Sequence, residues 1–126
     1  MTKANAGGEE VTLRTIRNEG LSSILTARID DSGDLVLSGH DRGPRVPQVF
    51  GDDEYEYRIV VRAEHVEATA AALVEILKDD GRPARPGTHI THMLEEAFGR
   101  QLFTTESGFA QWLTEHEIPS EFSSYS

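Results

Sequence analysis

The chain of 126 residues contains no cysteine. Disulfide bridges and thiol chemistry are therefore excluded. A single core in a chain of this length can bury enough apolar surface that neither a disulfide nor a structural metal is needed to hold it together. The lack of cysteine also fits the reducing cytoplasm, which is where we expect the protein to act.

Long apolar segments are also missing. No run of 18 apolar residues occurs, and the opening segment MTKANAGGEEVTL lacks the apolar stretch of a signal peptide. We therefore expect neither a membrane-spanning helix nor export.

Basic residues are scarce. Twelve Lys and Arg stand against 22 Asp and Glu, which gives a formal charge of −10. Residues 1–62 carry 8 basic and 11 acidic side chains, and residues 63–126 carry 4 and 11, so the second half is the more acidic. Such a field repels phosphate backbones and anionic lipids, and we expect no nucleic acid and no membrane as a partner. A basic protein, a cation and simple solubility remain as reasons for the charge.

The first part of the chain alternates apolar and polar residues. Residues 1–9 show no periodicity and predict a disordered tail, followed by a single domain over residues 10–126. Period-two patterns in EVTLRTIRNE, LSSILTARID, DLVLSG and YEYRIVV predict four strands. Turn residues at Asn18–Gly20 and in DDSGD predict hairpins between the first three strands. The last pattern is the strongest and predicts a strand at or next to the centre of the sheet.

A long connection precedes that last strand. The pattern predicts it over residues 39–54, with Pro44 and Pro47 stiffening it and Val46, Val49 and Phe50 as apolar anchors. Connections of about sixteen residues are longer than usual and are often functional. We expect this one to be ordered and exposed.

The second part of the chain has helical periodicity. AEHVEATAAALVEILKDDG predicts a first helix that ends at Gly81. A second helix is expected to begin at Thr88 or Thr91 and a third at Thr104 or Thr105. Trp112 is expected to lie in the core, and the tail after Pro119 is either a short edge strand or coil.

Strands followed by helices predict an α+β fold, with an antiparallel sheet of four to five strands covered on one face by about three helices. The sequence does not fix the strand order, and the chain is expected to be a monomer or a homodimer.

Two groups of residues are candidates for chemistry. His89, His92 and Glu96 share one helix face at a spacing that could hold a divalent metal through imidazole and carboxylate groups. Zinc signatures with two histidines on a helix usually place them four residues apart, however, and the apolar residues between them predict that both histidines face solvent. We therefore favour surface histidines and expect no metal and no cofactor.

The second group surrounds the segment GDDEYEY. Aromatic residues beside charges are typical of protein interfaces, and acidic residues would steer a basic partner. His40 and Asp41 are adjacent on a strand, so they point to opposite sides and do not form a catalytic pair. The residues predicted to bind the partner are His40, Asp41, Arg42, Asp52, Asp53, Glu54 and Glu56.

The segments GDLVLSGHDRGP, FGDDEYEYRIVVRAEHV and FAQWLTEHEIPSEFSSYS together resemble a family of small acidic actinobacterial proteins of unknown function. The likeness covers roughly residues 30–78 and 109–126. It implies a common fold and carries no assigned activity. Glu117 stands where the family pattern has glycine. In general character only, the chain is also similar to immunity proteins that neutralise toxins.

These observations favour a non-enzymatic acidic binding protein that docks a basic partner protein, of an immunity or regulatory type. The alternative is a metal-binding module or metal-dependent hydrolase that uses His89 and His92. A small-ligand pocket between the sheet and the helices is a third possibility.

Overall fold

The computed structural model describes residues 10–18, 20–43 and 54–125. Within these residues the chain forms five strands and three helices, and the helices lie between the last two strands. The strands are β1 (Val11–Asn18), β2 (Leu21–Ile29), β3 (Leu35–Arg42), β4 (Glu54–Val61) and β5 (Glu121–Tyr125), and the helices are α1 (Ala63–Asp79), α2 (Ile90–Gly99) and α3 (Glu106–Glu115). The predicted α+β fold is confirmed.

The five strands form one sheet in the order β1-β2-β3-β4-β5, and each pair of neighbours is antiparallel. β3 is therefore central and β4 lies next to it, as its strong alternation predicts. The tail after Pro119 forms β5 at the edge of the sheet, the first of the two alternatives for this segment.

The predicted connection over residues 39–54 is wrong at its start. β3 continues to Arg42, and its last residues pair with β4 from Gly39 opposite Tyr57 to Arg42 opposite Glu54. Polar side chains can extend a strand when they alternate onto a solvent-facing side, which makes such a segment easy to mistake for a loop. The two prolines and three apolar residues assigned to the connection lie outside the described residues, as does the expected tail over residues 1–9.

The hairpin between β2 and β3 closes at Asp30 and Asp34. The amide of Asp30 donates to the carbonyl of Asp34 at 2.9 Å, and Gly33 takes a φ of +86°, which an L side chain rarely adopts. The carboxylate of Asp34 is buried and accepts a 2.8 Å hydrogen bond from the amide of Ala63, in the first turn of α1. The turn of this hairpin therefore also caps a helix.

One face of the sheet carries the hydrophobic core. Odd-numbered residues of β2, β3 and β4 point to this face and meet the apolar sides of the three helices. The fully buried members include Leu25, Ala27, Leu35, Leu37, Ile59, Val61, Leu73, Leu77, Leu94, Ala97, Phe109 and Leu113. Trp112 belongs to the same cluster, as expected, and its ring lies 5.1 Å from that of Phe103 and 5.7 Å from that of Phe109.

One boundary of each helix can be compared with its prediction, and the prediction is confirmed for α1 and α3. Gly81 takes a φ of +96° just beyond α1, and the side chain of Thr105 caps α3 by accepting from the amide of Gly108 at 2.9 Å. The prediction that a threonine begins α2 is wrong, because the cap is His89, whose Nδ1 accepts from the amide of Thr91 at 3.3 Å.

Val36 is buried on the other side of the sheet. This side, called the outer face below, contributes none of its described residues to the helix-packed cluster. It is formed by the alternate residues of the strands, including Ser22, Ile24, Thr26, Ser38, His40, Arg42, Glu54, Glu56 and Arg58. These side chains are partly or fully exposed. Within the described part of the chain, no helix has the length and apolar character needed to cross a membrane.

Candidate functional site

Three side chains of β3 and β4 converge on the outer face. His40 and Glu56 are directly opposite each other in the sheet, and Glu54 precedes Glu56 by two residues and so points to the same side. His40 Nε2 lies 3.1 Å from Glu54 Oε1 and 3.9 Å from Glu56 Oε2. We call these three residues the outer-face cluster.

Arg42 holds one member of the cluster in place. It lies directly opposite Glu54 across the two strands, and its Nη2 donates to Glu54 Oε2 at 2.9 Å. The two oxygens of Glu54 therefore have different neighbours, since Oε2 accepts from Arg42 while Oε1 faces His40. A carboxylate held through one oxygen presents its other oxygen in a defined direction.

The outer-face cluster is open to solvent. The exposed fraction of the side chain is 35% for His40, 42% for Glu54 and 42% for Glu56. A ligand can therefore reach these groups without a change of backbone conformation. Ion pairs exposed to this degree contribute little to stability, about 0–1 kcal/mol each, so stability alone is a weak reason for the arrangement.

A shallow depression of about 210 Å³ adjoins the cluster on the outer face. Its outer-face lining forms two rows across the strands, Ile24, His40 and Glu56 in one and Thr26, Ser38 and Arg58 in the next. Ile24 is 40% exposed, which is high for a side chain of its size and apolar character. The depression thus combines one accessible apolar side chain with hydroxyl groups, the imidazole of His40, the carboxylate of Glu56 and the guanidinium of Arg58.

The structure brings together four of the seven residues predicted to bind a partner. His40, Arg42, Glu54 and Glu56 form one continuous set of contacts. Asp41 lies on the opposite side of the sheet, where its Oδ1 accepts a 2.7 Å hydrogen bond from the hydroxyl of Ser23. The expectation that His40 and Asp41 point to opposite sides is therefore confirmed. Asp52 and Asp53 lie outside the described residues.

The second group of candidates is not brought together. His89 caps α2 and bonds to Thr91, His92 Nδ1 lies 3.2 Å from Glu95, and Glu96 accepts from Arg100 at 2.8 Å. All three residues are exposed. Among the described residues, the outer-face cluster is the group of possible metal ligands whose ligand atoms lie within 4.8 Å of one another. The histidines of α2 do not form such a group.

A polar network beneath the sheet was missed by the sequence analysis. Arg14 donates from Nη2 to the hydroxyls of Ser23 and Tyr57, at 3.2 and 3.3 Å, and from Nη1 to the carbonyl of Thr104 at 3.1 Å. Its guanidinium also lies 3.6 Å from Glu106. The register of β1 shifts between Thr12 and Arg14, and Arg14 then pairs with buried Leu25 on the core side. The irregular alternation around Ile16 was the signal of this bulge in the sequence.

Burial raises the pKa of the Tyr57 phenol to about 12, and the negative charges of Glu106 and Asp41 act in the same direction. The Arg14 guanidinium opposes them in part, because it favours the phenolate. Tyr57 is therefore neutral at physiological pH and serves as a hydrogen-bonding group, not as a base.

Comparisons with family models, with curated proteins and with solved structures find no match to this chain. The resemblance to small acidic actinobacterial proteins therefore stays a prediction.

Proposed function

We propose that the protein is a non-enzymatic binding protein that docks a partner protein with a basic surface. The docking surface comprises the outer-face cluster, Arg42 and the adjoining depression with Ile24. The observation that carries the proposal is the combination, in one open depression, of an exposed isoleucine and a carboxylate on the sheet face whose described residues lie outside the helix-packed cluster.

The part of the depression between Ile24 and Glu56 suits a lysine or arginine side chain, whereas Arg58, which also lines the depression, would repel its charged head. The alkyl stem of such a residue would pack along Ile24, and its charged head would reach the carboxylate of Glu56. An apolar centre with a polar rim is the usual composition of a protein interface. Preformed strands also cost little conformational entropy when a partner binds.

The charge of the whole chain supports a basic partner. At −10 the protein attracts positively charged surfaces over a distance and increases the rate of encounter with them. Long-range attraction brings the partner close, while the contacts of the depression provide specificity. We place this interaction in the cytoplasm, in a toxin-neutralising or a regulatory setting, with the protein as a monomer or a homodimer.

The test uses matched charge reversals. Wild-type protein is immobilised, partners are captured from an extract of the source organism, and the affinity of each purified candidate is measured at several salt concentrations. We expect Glu56→Lys to weaken binding by at least tenfold, since the reversal places a like charge against the basic partner. Glu75→Lys makes the same charge change at an exposed position on α1 and is expected to have a much smaller effect.

Comparing Glu56→Lys with Glu75→Lys separates the effect of a local contact from the effect of the net charge of the protein. A candidate whose affinity falls equally in both variants responds to net charge alone and would contradict the proposed surface. An acidic partner, or a partner insensitive to Glu56→Lys, would contradict it as well.

A further inference from the structure

We infer that His40, Glu54 and Glu56 form a binding site for one zinc ion. The inference does not depend on the docking proposal, because zinc binding is a property of the isolated chain.

The spacing of the donor atoms fits zinc. Zinc binds imidazole nitrogen and carboxylate oxygen at about 2.0–2.2 Å, so two ligand atoms of a tetrahedral site lie about 3.3–3.6 Å apart. His40 Nε2 lies 3.1 Å from Glu54 Oε1 and 3.9 Å from Glu56 Oε2, which brackets that range. The three ligand atoms all lie within 4.8 Å of one another, so small side-chain rotations complete the geometry.

The donor set also fits the charge of the ion. Two carboxylates balance the double positive charge, and a neutral imidazole supplies the nitrogen that distinguishes zinc sites from the all-oxygen sites of calcium and magnesium. Arg42 offsets part of the charge of Glu54, and a metal ion would offset the repulsion that remains between the two carboxylates. Three protein ligands leave the fourth position of a tetrahedral ion for water or for a ligand from outside.

The cluster is held in a defined geometry, unlike a group of acidic side chains scattered on a surface. Its residues lie on β3 and β4, whose eight-residue register is unbroken from Leu35 to Arg42. Arg42 donates a hydrogen bond to Glu54 Oε2, while Glu54 Oε1 faces the histidine. Hydrogen bonds from residues outside the ligand set orient the ligands of metal sites in this way. The imidazole nitrogen of His40 faces both carboxylates. The ligand atoms therefore lie within 4.8 Å of one another before any ion arrives.

The experiment measures zinc binding to the untagged, chelator-treated full chain by isothermal titration calorimetry. We expect one equivalent of Zn²⁺ per chain and no comparable binding of Mg²⁺. His40→Ala and Glu56→Gln are each expected to weaken zinc binding by at least about tenfold, since loss of a ligand costs no less than loss of an outer hydrogen bond.

His92→Ala is the matched control. His92 also lies 3.2 Å from a glutamate, Glu95, but no third ligand of the described chain completes a group there. We expect this variant to bind zinc as the wild type does. In nitrogen-15 spectra of the wild type, zinc should shift the Nε2 resonance of His40, a result that does not depend on whether any variant folds.

Three results would overturn the inference. One is the lack of saturable binding at one equivalent in the wild type. Another is that His40→Ala or Glu56→Gln binds zinc with the same affinity as the wild type. The third is a zinc-induced shift at His92 in place of His40.

Discussion

The ring of Tyr57 lies directly against the backbone of Gly39 on the neighbouring strand. The two residues are opposite each other in the sheet, and a Cβ added at Gly39 would fall 2.0 Å from Tyr57 Cζ and 2.5 Å from its hydroxyl oxygen. Glycine at this position lets a large aromatic ring lie flat under the sheet, where it meets Arg14. The hydroxyl of Tyr57 consequently reaches the polar network.

Gly39→Ala should destabilise the protein by about 1–3 kcal/mol, because the added methyl group forces the ring of Tyr57 from its place. Urea denaturation followed by circular dichroism measures the change. Ser38→Ala, on the outer face one residue earlier, is the control and should stay within about 0.5 kcal/mol of the wild type. In a Tyr57→Ala background the cost of Gly39→Ala should shrink, and an unchanged cost would show that the ring is not responsible.

Tyr57 predicts a loss of stability at alkaline pH. Its folded pKa of about 12 lies above the ordinary value of 10.0 for an exposed phenol, so the folded state favours the protonated form. The associated stabilisation is fully present below pH 10 and is lost as the pH rises from 10 to 12, at about 1.4 kcal/mol per pH unit at most. Ultraviolet absorption should show one phenol that titrates late.

The comparison for this prediction is Tyr57→Phe. The variant should lose the late-titrating phenol and flatten the fall in unfolding free energy between pH 10 and 12. A late phenol that persists in Tyr57→Phe would assign the effect to another tyrosine and contradict the prediction.

Asp34 should be important for stability, because it links three elements. Its carboxylate accepts from the amide of Ala63 at 2.8 Å and from Arg62 Nη1 at 3.1 Å, and Arg62 in turn donates two hydrogen bonds to Glu121 of β5. Asp34→Ala removes the helix cap and leaves the amide of Ala63 without its part-buried acceptor, at a cost of about 1–2 kcal/mol.

Thermal and urea unfolding of Asp34→Ala measure this cost, with Asp31→Ala as the control. Asp31 is exposed in the same turn, and its loss should change stability by less than about 0.5 kcal/mol. Equal effects of the two substitutions would indicate that the charge of the turn matters and the helix cap does not.

Arg100 should not tolerate lysine. Its largely buried guanidinium donates to the carbonyls of Leu77 and Arg82 and to the carboxylates of Glu96 and Asp80, and so joins the ends of α1 and α2. A lysine ammonium cannot span four acceptors in these directions.

We expect Arg100→Lys to cost about 1.5–3 kcal/mol of unfolding free energy, the range for hydrogen bonds to a charged group. Arg85→Lys, at an exposed position in the connector between the same helices, should be close to neutral. If Arg100→Lys left the unfolding free energy unchanged, one of the four contacts would be sufficient to hold the ends of the two helices together.

The periodicity of the sequence predicts the strands and helices well, because an element that is buried on one side must carry apolar residues at the period of its backbone. The alternation from Tyr55 to Val61 and the helical stripe through Leu73 and Leu77 both depend on contact with one core, and all of these residues are buried or partly buried in it. Glycine and aspartate likewise mark the hairpin at Asp30–Asp34, since few other residues accept its backbone geometry.

The candidate site is harder to predict from the sequence. His40 and Glu56 meet because of the register between β3 and β4, and the alternation within each strand does not determine that register. The polar end of β3 reads as a loop because its side chains alternate onto the exposed outer face. The network at Arg14 draws on residues separated by up to 90 positions, and the bulge that turns Arg14 inward leaves only a broken alternation as a trace.

The order of the strands bears on how the protein folds. β1 to β4 follow one another along the chain, so each can pair with its predecessor through local contacts that form rapidly. The far edge of β4 is covered only when β5 returns, and the ion pair that fastens it joins Arg62 to a residue 59 positions away. Until the residues of β5 leave the ribosome, β4 therefore displays an unpaired edge, and this is the stage at which a nascent chain is most exposed to wrong pairing with its neighbours.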